Sequence, residues 1–368
     1  MMKKFFNNII VYETALLICG ISWLFGGTYG PYTREVLPWL CVILLQGIFS
    51  FPQKRRNEYT TEARMRVSES VFQDPLSMVC LGFAIYLAIP FANKGLCEIC
   101  DYPAIAAGER AEPLMQFLPF CVDRAHHFST FLWFLAVMLV VVAIRHSFTT
   151  SGRKLLLEII LWNGFVLAVV GAIQISTGAT GPLWTNLDNE TAYFFSTFGY
   201  PNMAGCYFMM IFAIGMAVWR DKMERMRILL KSDNISIPQS SHTIFWRKHY
   251  ALIPTFVAYL AALNTLSRAS IILVTTIAVI IFSHTIVSAF HKIDKAKRFK
   301  ARVVSVMAFL ALVVTSVFFM PEEMRSELNT VDSGSMLDRF SGKRETHVAV
   351  GLKIFKEYPL YGVGGWGY

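Results

Sequence analysis

Apolar and polar residues follow one another along this chain in long blocks, not at the short periods of a half-buried helix or strand. Nine apolar runs stand out, at 9–25, 36–51, 76–92, 129–144, 155–175, 202–219, 250–266, 270–290 and 303–320. Runs of this length match a bilayer core of about 30 Å crossed as an α-helix. Lipid offers the backbone no hydrogen-bond partners, so such runs must be helical. The pattern predicts an all-α polytopic membrane protein with about nine transmembrane helices in one helical membrane domain, 1–368. No internal repeat, low-complexity tract or linker divides it.

Composition agrees. Of the 368 residues, 55% are hydrophobic and only 16% charged, against about 25% charged in a soluble domain. The net charge of +9 raises nucleic acid as a partner, but the placement of the cations argues against it. Lys3 and Lys4 precede the first run, and Lys54, Arg55, Arg56, Arg64 and Arg66 follow the second. Arg145, Arg153 and Lys154 lie between the fourth and fifth, Arg220 to Lys248 between the sixth and seventh, and Lys292 to Arg302 between the eighth and ninth. Cations on alternate loops are the positive-inside pattern, which puts the N-terminus in the cytoplasm and the segment after Met320 outside. These loops are expected to meet anionic lipid. The first run follows "MMKKFF" without a small-residue cleavage site and is read as a retained anchor.

Cys19, Cys41, Cys80 and Cys206 fall within apolar runs and read as small packing residues. Cys97, Cys100 and Cys121 lie on a loop that the topology puts outside, where a structural disulfide between two of them can persist. No second Cys pair or spaced His pair accompanies "CEIC" to suggest zinc or redox chemistry.

One cation breaks the pattern. "LNTLSRASIILV" holds Arg268 inside a nearly continuous apolar stretch, and residues 251–286 as a single helix would extend about 54 Å, far beyond one crossing. The basic loops on either side share a face of the membrane, so the chain must turn back near "LSRAS", bringing Arg268 to the outer boundary. The plainer alternative is an arginine snorkelling to headgroups at a helix end. The functional one is a permanently charged fork for phosphate, strengthened by the start of the next helix, with Ser270 in its first turn.

"FFSTFGYPNMAG", residues 194–205, fits beside it. Pro201 suits the first position of a helix, and the residue before a proline is pushed out of helical geometry. Ser196 and Thr197 supply hydroxyls, Gly199 a tight turn and Asn202 an amide. Two helix starts and one arginine at the outer boundary describe a pocket for a phosphorylated lipid headgroup.

Three segments resemble a known family. "STFGYPNMAGCYFMM", "LNTLSRASIILV" and "GKRETHVAVGLKIFKEYPLYGVGGWG" are similar, in order, to segments of the O-antigen ligase and O-antigen polymerase superfamily of bacterial inner-membrane glycosyltransferases. The resemblance covers roughly residues 190–368; the earlier spans match in general hydropathy only. It implies transfer of a glycan from an undecaprenyl-diphosphate carrier to lipid A-core, a growing polysaccharide or a protein, at the periplasmic face. It implies no cofactor and no metal. Arg268 matches the family's arginine for the diphosphate, and Arg344 matches the arginine of the third segment.

The chain also departs from the family. Tyr200 stands where Asn is usual, Ala269 where Gly is common and His347 where Trp is usual. The family's histidine base lies beyond the point at which this chain stops, Tyr368. The expectation is therefore a C-terminally truncated chain, or one using another base such as His347, since a group titrating near neutrality is what acceptor deprotonation needs. Val348, Leu352 and Phe355 recur at helical spacing and predict a short amphipathic helix on the outer membrane surface. Arg34, Arg124, His126 and His127 lie at outer span ends, with interfacial roles or contacts to glycan or acceptor as the alternatives. A membrane transporter or flippase for a lipid-linked or amphiphilic solute is the second functional class; it would place charges at mid-membrane and break helices there.

Overall fold

The computed structural model describes residues 8–24, 26, 30–50, 71–93, 115, 118–120, 124–185, 194–231, 246, 249–290, 307, 314, 348–356 and 359. Among them the regular structure is helical, with a single isolated bridge pairing Phe195 with Phe198. The helices are α1 (Ile9–Trp23), α2 (Gly30–Ser50), α3 (Pro75–Ala92), α4 (Arg124–Val142), α5 (Thr150–Ser176), α6 (Pro201–Lys231), α7 (Leu252–Leu263), α8 (Arg268–Phe290) and α9 (348–356).

Four helices among the described residues are long and apolar enough to cross a membrane: Pro75–Ala92, His127–Ser147, Thr150–Ser176 and Pro201–Met226. Most of each is unburied within the protein. Large apolar side chains such as Val79, Ile173 and Met210 are exposed on them, as expected of surfaces facing lipid. These features mark a membrane protein. Of the nine expected spans, these four reach that length and composition among the described residues. Apolar helices at Ile9–Trp23, Glu35–Ile48, Leu252–Leu263 and Ala269–Ile281 are shorter, and 303–320 lies outside the described residues apart from Met307 and Val314.

Helix limits also differ from those expected. The Pro201 helix runs 31 residues, about 46 Å at 1.5 Å per residue, so Arg220, Lys222 and Arg225 are helical and not in a loop. Ion pairs extend it: Arg225 Nε meets Asp221 Oδ2 at 2.8 Å, one turn away, and Lys222 Nζ meets Glu158 Oε1 at 2.8 Å. The basic loop expected at 145–154 is divided between the end of a π turn, Ala143–Ser147, and the start of α5 at Thr150.

The chain divides into two compact units. The first comprises Met1–Leu17, Gly30–Thr150 and Thr330–Tyr368. In it α3 is capped by Asp74, whose Oδ2 accepts the Ser77 N–H at 3.1 Å, with Pro75 in the first helical position. The widened π turn brings two successive side chains to that cap. Arg145 Nη2 donates to Asp74 Oδ1 at 2.6 Å, and His146 Nε2 lies 2.8 Å from Ser77 Oγ. At the other end of α3, the buried Asn93 amide holds the carbonyls of Met115, Leu118 and Pro119 at 3.0 to 3.1 Å. The helix expected near the C-terminus is present over 348–356, with Val348, Leu352 and Phe355 exposed.

The second unit comprises Ile18–Tyr29 and Ser151–Asn329. Its centre is α6, against which α5 and α7 run antiparallel. On the α5 side, Lys154 pairs with Asp221 at 2.6 Å, Asn163 bonds Tyr207 at 2.9 Å, and Gly164 leaves room for Ile211. On the α7 side, His249 lies 3.2 Å from Trp219, and Tyr259 packs against Phe212. Charged pairs thus gather at one end, where Lys222 also contacts the Tyr250 hydroxyl. The opposite end holds the α5 exit, the start of α6 and the α7–α8 turn.

Candidate functional site

The turn between α7 and α8 follows from its residues. Asn264 ends α7, its Nδ2 donating to Leu260 O at 2.8 Å, while buried Thr265 donates to Ala262 O at 2.9 Å. Leu266 then takes a left-handed backbone, φ 57°, which lets Ser267 cap the next helix. Ser267 Oγ accepts the Ser270 N–H at 3.4 Å and lies 2.9 Å from Ser270 Oγ. The reversal expected near "LSRAS" is therefore present, and Arg268 is the first helical residue after the cap.

The start of α6 meets it there. Ser267 Oγ donates to Asn202 Oδ1 at 2.8 Å, so this one hydroxyl gives one bond and receives two, its full capacity. Asn202 Nδ2 donates to the Tyr200 hydroxyl at 3.1 Å. Close approach is possible because residue 205 is glycine: a Cβ there would overlap Ser270 Oγ and lie 3.0 Å from Ser267 Cβ. Two helix N-termini, each with first-turn N–H groups lacking intrahelical partners and a positive dipole end, open at one corner. Among the described residues of 176–202 and 263–267 there is no Asp, Glu, Lys or Arg. Arg268 is thus the first charged residue after the α7–α8 turn.

The other expected residues divide. Thr197 is buried and donates to Ser22 O at 2.6 Å, so its hydroxyl fastens the 195–198 turn and does not face an opening. Ser196 is buried with φ 57° and has no hydrogen-bond partner for Oγ among the described residues. Gly199 has open space where a Cβ would stand. Arg124 opens α4 in the first unit, and its side chain lies outside the described residues, as do those of Arg34, His126 and Arg268. Buried His127 is held by Leu87 O at 2.8 Å and packs on Phe91, a structural placement. Arg344, His347, Cys97, Cys100 and Cys121 fall outside the described residues altogether. Of the four cysteines expected to pack, Cys41 is buried, Cys19 and Cys80 are half-buried and Cys206 is exposed.

Three participants went unnoticed in the sequence. Ser267 was legible as a cap from "SRAS", a hydroxyl three residues before another just ahead of an apolar run. Gly205 carried no signal, because its role depends on what crosses it. Asn163 is the third: in mid-helix it accepts from Trp23 Nε1 at 2.9 Å and donates to Ser22 Oγ at 3.0 Å and to Tyr207 OH. A lone amide in an apolar run is a visible sign of such a network.

No known family model, characterised protein or solved structure matches the chain. Fold and site define its class as a helical membrane protein with a hydroxyl-rich corner where two helices begin.

Proposed function

We propose that this protein transfers a glycan from an undecaprenyl-diphosphate carrier to an acceptor at the outer face of a bacterial inner membrane. The acceptor is lipid A-core, a growing polysaccharide or a protein. The observation that carries the reading is the 2.8 Å bond from Ser267 to Asn202, which joins two helix starts beside Arg268. Helix N-termini favour phosphate, and a guanidinium grips it bidentately. The diphosphate is the leaving group, so positive charge placed there stabilises the negative charge that grows as the glycosidic bond breaks. In this reading the chain crosses nine times, with the N-terminus cytoplasmic and α9 lying on the outer surface. Arg344 is a second phosphate ligand, and His347 is the group that takes the acceptor proton.

The separation of charge along the second unit supports this sidedness, since Lys154, Lys222 and Arg225 gather at the end opposite the corner. The test is reconstitution in vesicles with an undecaprenyl-diphosphate glycan and candidate acceptors. Arg268→Ala is expected to insert normally and to lose transfer. Full activity in that variant would remove the arginine from the mechanism, and carrier translocation without transfer product would make the protein a flippase.

A further inference from the structure

The second unit contains a cavity of about 150 Å³ beside the α5 exit. Gly171, Gln174, Phe194, Phe195, Ser196 and Leu266 are among the residues that line it. Two polar side chains there are anomalous. Gln174 is 1% exposed, yet neither its Nε2 nor its Oε1 has a hydrogen-bond partner among the described residues. Ser196 is fully buried, and its Oγ is likewise unpartnered. Buried polar groups are nearly always satisfied, and leaving them otherwise costs stability. In the apolar helix "AIQIS" a leucine would avoid that cost entirely.

We propose that this cavity binds one neutral, hydroxyl- or amide-bearing six-membered ring, the sugar unit next to the diphosphate. This rests on the transferase reading above. A carboxamide supplies two donors and an acceptor, and a hydroxyl supplies a donor and two acceptors. Together they fit a partner that both gives and receives hydrogen bonds, as a sugar hydroxyl or acetamido group does. Among the described residues no titratable side chain lines the cavity, and none of them offers a cation to a phosphate. Its remaining walls are apolar and partly aromatic, the usual composition of small-molecule sites in which a few polar groups set orientation. An engineered cavity of about the same volume accepts benzene, so there is room for a ring, with its substituents extending through the cavity's open side.

Its place in the chain fits as well. Ser196 precedes the start of α6 at Pro201 by five residues, and Leu266 immediately precedes the cap of α8. The cavity is walled on one side by α5 and its exit, and its other two segments continue into the helix-start corner. Phe195 is pressed against Gly171, where a Cβ would come within 2.6 Å of its ring, so the aromatic wall is fixed in place.

The test uses the full chain in lipid nanodiscs and saturation-transfer-difference NMR with methyl α-glucoside and methyl N-acetyl-α-glucosaminide. At least one glycoside is expected to receive saturation from the wild type. Gln174→Leu should reduce that signal at least tenfold without lowering the melting temperature. Ser196→Gly, which tolerates the left-handed backbone, should weaken it as well. Absence of any glycoside signal in the wild type, or an unchanged signal in Gln174→Leu, overturns the proposal and leaves a cavity satisfied by water. Geranyl diphosphate, followed by phosphorus line broadening in the same samples, reports the corner separately. If it binds and no glycoside does, the cavity proposal fails while the transferase reading stands. If a glycoside binds and the diphosphate does not, the cavity proposal holds and the diphosphate corner fails.

Discussion

Ser267 Oγ lies 2.8 Å from Asn202 Oδ1, and through that bond the first turns of α6 and α8 share one corner although 65 residues separate the pair in sequence. The same hydroxyl caps α8 by accepting the Ser270 N–H. A single oxygen thus fixes both the start of the second helix and its distance from the first.

Ser267→Ala removes the cap and the bridge together. Loss of an N-cap costs about 1 kcal/mol, and exposed Asn202 can turn to water, but the buried Ser270 hydroxyl loses its partner too, so the total should reach about 2 kcal/mol. Ser267→Asp restores the cap acceptor but places a carboxylate beside Arg268. Because a carboxylate cannot donate to Asn202 Oδ1 from this buried position, the expected result is stability below that of the wild type with transfer impaired, measured by melting and by glycan transfer on the same preparations.

Gly205→Ala sets two effects against each other. Alanine gains about 1 kcal/mol in helix propensity over glycine, but its methyl overlaps Ser270 Oγ. Overpacking of this kind costs about 1–3 kcal/mol, so the variant should be less stable than wild type. Ser270→Gly in the same chain removes the colliding atom and should recover much of the loss. If Gly205→Ala melts higher than wild type, the close approach of these helices is wrong.

Asn163 serves three partners at once: Trp23, Ser22 and Tyr207. Replacing it with leucine leaves those groups without it inside a largely apolar unit, at a cost of about 1–3 kcal/mol for each group left unsatisfied. Tyr207→Phe removes one bond alone and should cost much less. Melting of the two variants and their combination separates the network from the single bond, since loss of the amide should make the hydroxyl deletion nearly neutral.

The Arg145 guanidinium beside Asp74 holds its carboxyl well below the usual carboxylate range, with the Ser77 hydroxyl and amide helping. A depressed carboxylate stabilises the fold above its unfolded pKa of about 3.9, and that contribution fades as pH falls through the lower folded value. Stability should therefore be flat with respect to this group from neutrality to about pH 5 and fall below about pH 4. Asp74→Asn should flatten the acid limb. The half-exposed Arg145 makes the effect salt-sensitive, so the acid limb should shrink at high ionic strength.

Much of the helical order is legible in the sequence. Long apolar runs cannot be anything but helices in lipid, and eight of the nine expected runs fall on described helices. The reversal at Leu266–Ser267 was legible too, because basic segments on both sides required an even number of crossings between them. Helix ends were less so. Along the extension of α6 to Lys231, Lys222 pairs with Glu158, 64 positions away, and no local pattern announces such a partner.

The sequence by itself determined that this is a helical membrane protein that turns back at Arg268, because burial of apolar length and the cost of an unpaired backbone act locally on each segment. Only tertiary structure decided which of the polar residues are spent and which are free. Thr197 and Ser196 are neighbours with the same hydroxyl chemistry, yet one is consumed by the Ser22 carbonyl and the other is left facing a cavity. Their difference lies in what the fold places opposite each oxygen, and a hydrogen bond is a property of two groups, of which the local sequence states only one.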